Sequence, residues 1–417
     1  MSGPTSDFLH AAQERGFVHQ VTDAAALDAR LREGQVTAYV GFDCTADSLH
    51  VGHLLSIMLL RLFQRTGHRP VALIGGGTTK VGDPSGKDEA RQLLTEAQIE
   101  ANKAGIRRSF ESFLDFGPGR AIMLDNAEWL DGLRYIPFLR DVGRHFSVNR
   151  MLTMDSVRLR LERDQPLSFL EFNYMLLQSY DFLELHRRHG VTLQMGGSDQ
   201  WGNIVMGADL VRRMAGAEAF GLTTPLLTTA SGAKMGKTAA GAVWLNPDRL
   251  SPYDYWQFWR NAEDADVGRF LALFTELPMD EVRRLATLRG AEVNAAKVVL
   301  ATEATTLLHG RAAAEAAARA AGVIFGSANL VEDPDVLQAT GVTVPLPALV
   351  VDLLFEAKLV PSKSEARRKM AQNGVRLNDA PVTDPTQAVT AADLREGGAA
   401  KLSLGRKRHL LVRAAAG

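Results

Sequence analysis

Two largely apolar runs, TAYVGFD (37–43) and PVALIGGGT (70–78), do not alternate with polar residues and predict buried strands. A third strand lies inside GRAIMLDNAEWL (119–130), and VTLQMGG (191–197) reads as a fourth. Between the first two, LHVGHLLSIMLLRLFQRTG places apolar residues at helical spacing and stops at Gly67. It predicts a helix, preceded by the loop CTADS, in which Asp47 or Ser48 is placed to cap it. Residues 1–33 also read as helical. Strands alternating with helices predict an α/β fold with a doubly wound parallel sheet. Ligands bind such a sheet beyond the carboxyl ends of its strands. The loops after Asp43, Gly77 and Met195 are therefore the places to look for a site.

The second half reads differently. From Ser251 to Gly322 the pattern is helical throughout, closing on the alanine-rich HGRAAAEAAARAAG. Residues 326–345 are rich in turn formers and acids and read as a linker. A last module starts near Leu346, with a helix around VVDLLFEAKLV, a basic helix in SKSEARRKMAQNG, and short strands in VRLND and KLSLGRKRHLLVR. The predicted organisation is a catalytic domain over 1–250, an α-helical domain over 251–325, the linker, and a small α+β module over 346–417. No internal repeat is visible.

Charge sharpens this division. The whole chain has a formal net charge of -1, which by itself says nothing of a polyanionic partner. From Pro361 to Gly417, however, eleven Lys and Arg face five Asp and Glu, a local charge of +6 on a body of -7. That asymmetry suggests a basic nucleic-acid-binding module on an acidic body. Cys44 is the single cysteine, so no disulfide can form within the chain and a cysteine zinc site is excluded. A reducing, cytoplasmic setting follows. The N-terminus lacks the basic start and apolar run of a signal peptide, and no apolar stretch reaches the roughly 18 residues of a membrane span.

The candidate chemistry sits in three short motifs. His50-Val51-Gly52-His53 puts two imidazoles on one face of a first helical turn. Taken alone, such a pair reads as capping or core histidines, and no third ligand stands at a metal-binding spacing. The alternative is an anion site: helix-start N–H groups attract phosphate, and imidazoles there donate to a phosphoryl group as charge builds. Gly52, with no Cβ, would let an adenine or ribose lie close. SGAKMGKT (231–238) carries Lys234, Lys237 and Thr238 on a glycine-containing loop; alone it reads as solvated surface, or else it suits a transient pyrophosphate charge. GDPSGK (82–87) is one residue short of a phosphate-binding P-loop, and Asp88 stands where that motif needs Ser or Thr. It is an ordinary turn, or a place where Asp83 meets a substrate ammonium.

Together, HVGH, KMGKT some 180 residues later, SFLEFNYMLLQSYDFL and QMGGSDQWGN resemble the class I aminoacyl-tRNA synthetases, and among them the bacterial tyrosyl-tRNA synthetases. The resemblance spans nearly the whole chain. Cys44 stands where that family often has proline, and Gly236 and Thr238 replace two serines of its lysine loop. The resemblance implies a Rossmann-like catalytic domain that activates L-tyrosine with ATP, carried as its Mg²⁺ complex with no protein-bound metal, and charges tRNA(Tyr) as a homodimer. It implies that Tyr39 and Asp181 hold the tyrosine hydroxyl, that Tyr174, Gln178 and Asp83 hold its ammonium, and that Gln194, Asp199 and Gln200 line the pocket, the last two toward ribose and amino acid. Gly41 and Asp43 would sit near the adenylate, with Gly52 beside them. Thr45, His50 and His53 would meet the ATP phosphates, and Lys87, Lys234, Lys237 and Thr238 would close over the pyrophosphate. The last module resembles a small RNA-binding fold shared with ribosomal proteins. Lys363, Arg367, Arg368 and Lys369, with Arg406, Lys407 and Arg408, would then bind tRNA phosphates; a solvated basic face is the plainer reading.

Spacing supports the pocket independently. Tyr174, Gln178 and Asp181 fall at i, i+4 and i+7 on one helical face, among Phe172, Met175, Leu176, Leu177 and Phe182. The plain alternative is an amphipathic helix with a polar solvent edge. Two other functions compete. A tryptophanyl relative or another HxGH nucleotidyltransferase would share the motifs, but a Tyr39/Asp181 pair suits a phenol better than an indole. An RNA-binding paralogue without catalysis would have no use for both histidines and both lysines.

Overall fold

The computed structural model describes residues 3–85, 94–232, 235–238, 241–325, 341–357, 359–395, 398–405 and 408–415. The chain forms two compact units. The first comprises 1–237, 242–249 and 263–293; the second comprises 238–241, 250–262 and 294–417.

The first unit is built on a six-stranded sheet. Its strands are β1 (Gln20–Val21), β2 (Thr37–Asp43), β3 (Arg69–Gly75), β4 (Ile122–Asp125), β5 (Val191–Gly197) and β6 (Phe220–Thr224). The order across the sheet is β1-β6-β5-β2-β3-β4. All neighbours pair in parallel except β1, which runs antiparallel along the edge of β6. The four predicted strands are thus strands of a parallel sheet. The edge pair β1 and β6 is an addition, and β1 interrupts the N-terminal stretch read as wholly helical. Two residues cannot hold a strand by propensity; β1 exists because Gln20 and Val21 find Thr223 and Leu222.

Beyond β2 the chain turns one way to β3 and β4, and the later strands β5 and β6 lie on the other side. The crevice between the carboxyl ends of β2 and β5 is therefore a topological switch point, where α/β sheets bind ligands. Tyr39 pairs across the sheet with Val71 on one side and Gln194 on the other, close to that crevice. The helix Val51–Arg65 buries Leu54, Leu55, Met58, Leu59 and Phe63. The helix Tyr174–His189 packs beside the helix Trp201–Ala215, with Phe182, Leu183 and Leu185 in a core shared with Tyr39, Val71 and Val191.

The cap of the helix Val51–Arg65 differs from expectation. It is His50, not Asp47 or Ser48. Residues 49–51 stay extended because they pair with 243–245: Val51 N–H donates to Val243 O, and Leu245 N–H to Leu49 O, both at 2.9 Å. The helix can begin only once that pairing ends. Ser48 Oγ meanwhile donates to Leu49 O at 2.8 Å and accepts from Asn246 N at 3.1 Å, and Asp47 binds Arg249.

In the second unit, helices Pro252–Arg260, Val293–His309 and Arg311–Phe325 account for the predicted helical region, while Val267–Phe274 and Met279–Ala286 belong to the first unit. The C-terminal part folds around its own core of Val350, Leu354, Met370, Val375, Leu402 and Val412. Its five-stranded sheet includes Gly341–Val344, inside the stretch read as linker, paired in parallel with Leu411–Ala414.

Candidate active site

A cavity of about 430 Å³ opens at the carboxyl ends of β2, β3 and β5. Tyr39, Gly41, Asp43, Thr45, His50, Gly52 and His53 border it from β2 and the turn that follows; Asp83 borders it from the GDPSGK turn. Tyr174, Gln178, Asp181, Gln194, Asp199 and Gln200 complete its far wall. Of the remaining predicted residues, Lys87, Lys234, Arg406 and Lys407 lie outside the described residues, and only the backbone of Lys237, Thr238 and Arg408 is described.

One end of the cavity is a buried polar pocket. Asp181, 2% exposed, accepts from Asn126 Nδ2 at 3.0 Å on one oxygen and from Trp129 Nε1 at 2.8 Å on the other. Burial outweighs both bonds and pushes its carboxyl up to about 8. Tyr39, 1% exposed, has its hydroxyl without a hydrogen-bond partner among the described residues. Burial, with Asp181 nearby, raises that phenol further. Gln194 Oε1 is likewise buried and unpartnered. Such groups each cost about 1–3 kcal/mol unless something satisfies them, and a ligand hydroxyl between Tyr39 and Asp181 would do so for Tyr39.

The middle of the cavity is a network. Gln200 Nε2 donates to Asp83 Oδ2 at 2.8 Å, and Ser85 N to its Oδ1 at 2.9 Å. Asn203 Nδ2 donates to Gln178 Oε1 at 2.9 Å and to Gln200 Oε1 at 3.3 Å. Asp43 accepts from Thr78 Oγ1 at 3.0 Å and from the Tyr174 hydroxyl at 3.3 Å. Asn126 ties the pocket to Asp43, donating to both Asp181 and Thr78 Oγ1, each at 3.0 Å. Asn126, Trp129, Thr78 and Asn203 escaped the sequence reading. Asn126, directly after a predicted strand, and Thr78, at the end of another, carried a usable signal: both stand where switch-point ligands bind.

The other end is the histidine turn. His50 Nδ1 accepts from Gly52 N at 3.0 Å, and His53 Nδ1 accepts from His50 N at 3.3 Å. The Gly52 position has no room for a side chain: a Cβ there would lie 2.6 Å from His50 Cε1. The lysine-bearing loop reaches the same turn. Met235 and Gly236 are buried, Gly236 has φ +93°, and a Cβ on it would lie 2.7 Å from Gly52 N. Gly236 O accepts from Val243 N at 3.0 Å. Cys44, by contrast, offers no chemistry: burial and the nearby Asp43 push its thiol up to about 12.

On the basic C-terminal helix Lys363–Ala371, Lys363 pairs with Asp352 at 2.9 Å, and Arg368 and Lys369 both pair with Glu365. Arg367 is exposed and has no ion pair among the described residues.

A switch-point cleft with paired histidines at a helix start, met by a lysine-bearing loop, defines a class I aminoacyl-tRNA synthetase. The family model described as class I tRNA synthetases (W and Y) matches residues 31–326, and one for the tyrosine–tRNA ligase C-terminal domain matches 341–412. A tyrosine–tRNA ligase of Xanthobacter autotrophicus is 61% identical over 408 residues, 98% of each chain. That of Rhodopseudomonas palustris is 59% identical over 418 residues and the full length of both. A C-terminally truncated mitochondrial tyrosyl-tRNA synthetase from Aspergillus nidulans superposes with a TM-score of 0.69 at 31% identity, covering 77% of this chain and 95% of its own. The chain belongs to the tyrosine–tRNA ligases. No helix among the described residues is long and apolar enough to cross a membrane.

Proposed function

We propose that this cleft activates L-tyrosine with ATP, forming tyrosyl-adenylate and pyrophosphate, and then passes the tyrosyl group to the 3′ end of tRNA(Tyr). The observation that carries this is the buried Tyr39 hydroxyl and Asp181 carboxylate at one end of a cavity whose other end is the histidine turn. A phenol gives the Tyr39 hydroxyl the partner it lacks and adds a bond to Asp181; phenylalanine does neither, and the cost of that falls on the wrong substrate.

Asp83, Gln178 and Tyr174 take the substrate ammonium, and Gln194 and Gln200 line its side. Asp43, Gly41, Gly52 and Asp199 take the adenosine end. The tyrosine carboxylate attacks the α-phosphorus of ATP and pyrophosphate leaves. No covalent enzyme intermediate is needed. His50, His53 and Thr45 donate to the phosphates as charge grows on them, with Lys87, Lys234, Lys237 and Thr238 beside them. Mg²⁺ enters with ATP, as part of the substrate. The tRNA ribose hydroxyl then displaces AMP.

The basic module from 346 onward holds tRNA through Lys363, Arg367, Arg368, Lys369 and the 406–408 cluster. The catalytic body pairs with a second copy. Its short helices expose apolar side chains, Tyr135 and Ile136 at 58% and 69%, and also Val148, Leu152, Phe169 and Leu170. The enzyme works in the cytoplasm.

ATP–pyrophosphate exchange across a panel of amino acids tests the reading. Exchange with tyrosine, and none with phenylalanine or tryptophan, is the expected result; exchange led by any other amino acid would overturn it.

A further inference from the structure

The pairing that sets the start of the histidine helix also places a tryptophan. His50 and Trp244 sit directly opposite each other in the antiparallel bridge between 49–51 and 243–245. Opposed side chains of such a pair share one side of the ladder. The indole meets the His50 imidazole edge to face, with centroids 6.0 Å apart and planes at 69°. On its other flank the Arg249 guanidinium lies 4.4 Å from the centre of the indole and is anchored by the Asp47 carboxylate. The indole is thus fixed on one side by a tethered cation and presses on His50 with the other.

The neighbours of Trp244 face the core; Trp244 does not. Val243 and Leu245 are 4% and 0% exposed and point into the core. Trp244 alternates with them and is only half-buried. It does not border the cavity itself. The His50 ring accepts from Gly52 N at Nδ1 and is flanked by His53 at 4.1 Å and by Trp244. A donor aimed at a developing charge loses much of its effect when displaced by as little as about 1 Å.

We propose that Trp244 is a positioning residue for His50, holding the imidazole in register for adenylate formation without touching substrate. This rests on the phosphate-binding reading of His50. It also gives the segment after the lysine-bearing loop a direct bearing on the helix start.

The test is a double-mutant cycle in the full-length enzyme, read by ATP–pyrophosphate exchange and by tyrosine Kd. Trp244→Ala should lower the exchange kcat about tenfold, within the range for contacting residues that act together, with tyrosine Kd unchanged within about twofold. Trp244→Phe, which keeps an aromatic edge against the ring, should recover most of the rate. In His50→Ala the further change Trp244→Ala should cost nothing. Multiplied losses in the double variant, or tyrosine affinity falling in step with kcat, would overturn the proposal. Should Trp244→Ala fail to fold, Trp244→Met keeps the bulk without the aromatic edge and must show the same non-additivity. A His50→Ala enzyme of full activity would instead overturn the reading of His50, and this inference with it.

Discussion

His50 and His53 each use Nδ1 to accept a backbone N–H at the start of one helix, His50 from Gly52 and His53 from His50. An imidazole nitrogen that accepts carries no proton, so on each ring the donor nitrogen is Nε2. The backbone sets the cap and the phosphate donor in a single choice of tautomer.

Those two roles separate by mutation. His50→Asn keeps a good capping side chain and loses the imidazole donor; His50→Ala loses both. Both variants should slow adenylate formation about 100-fold, the usual cost of removing one donor from a transition state. Only His50→Ala should also lose stability, by about 1 kcal/mol. Pyrophosphate-exchange rates and urea melts check the pair, and equal melts for the two would show that the cap carries no weight.

Tyr39→Phe removes a hydroxyl that has no hydrogen-bond partner among the described residues. In the ligand-free enzyme nothing is lost and a buried polar group is relieved, so the melting temperature should hold or rise. With tyrosine bound, one neutral hydrogen bond disappears. Affinity for tyrosine should fall about tenfold, and discrimination against phenylalanine should narrow by the same factor. A melting temperature that falls in the apo enzyme would place the hydroxyl in the fold instead of the pocket.

What the sequence exposed, and what it hid, follows the range of the interactions. The core strands β2 and β3 were legible because a strand buried on both faces is apolar at most of its positions. Tyr174, Gln178 and Asp181 were legible because one helix fixes their spacing, and all three border the cavity. The cap at His50 was hidden, since Ser48 and Asp47 have better capping chemistry and only the distant segment 243–245 holds the chain extended past them. Trp129 was hidden for a similar reason: a Trp shortly after a strand is commonplace until the helix Tyr174–His189 brings Asp181 to its indole N–H.

Asp181 makes the protein's stability depend on pH in an unusual direction. Its carboxyl is held at about 8 against an ordinary 3.8. Between those values the native state keeps a proton that the unfolded chain has released. Native protein then binds more protons, and stability falls as pH rises from about 4 to about 8. Asp181→Asn should remove that contribution, so the difference between the two melting profiles should slope downward across this window. Tyrosine, donating a third hydrogen bond to the carboxylate, should lower the pKa and flatten the wild-type slope. Melting temperatures in matched buffers from pH 5 to 8, with and without tyrosine, check both statements. A slope unaffected by either change would mean that Asp181 does not titrate in this range.

The basic helix of the C-terminal module offers a prediction that its composition alone could not. Four cations lie along Lys363–Lys369, but they are unequal. Asp352 partly neutralises Lys363, and Glu365 serves both Arg368 and Lys369. Arg367 alone is exposed with no ion pair among the described residues. A phosphate approaching Arg367 displaces only solvent; one approaching Arg368 must compete with a carboxylate already in place. Arg367→Ala should therefore weaken tRNA binding at every salt concentration and lower the slope of log affinity against log salt by about one. Arg368→Ala should change that slope by clearly less, because its guanidinium is already engaged. Tyrosine-dependent pyrophosphate exchange should be unchanged in both, since neither residue borders the cleft. Fluorescence anisotropy with labelled tRNA at several salt concentrations separates the two variants. Equal slopes for both would show that tRNA pulls Arg368 away from Glu365 at no cost, and that the ion pairs of this helix do not decide which of its cations bind phosphate.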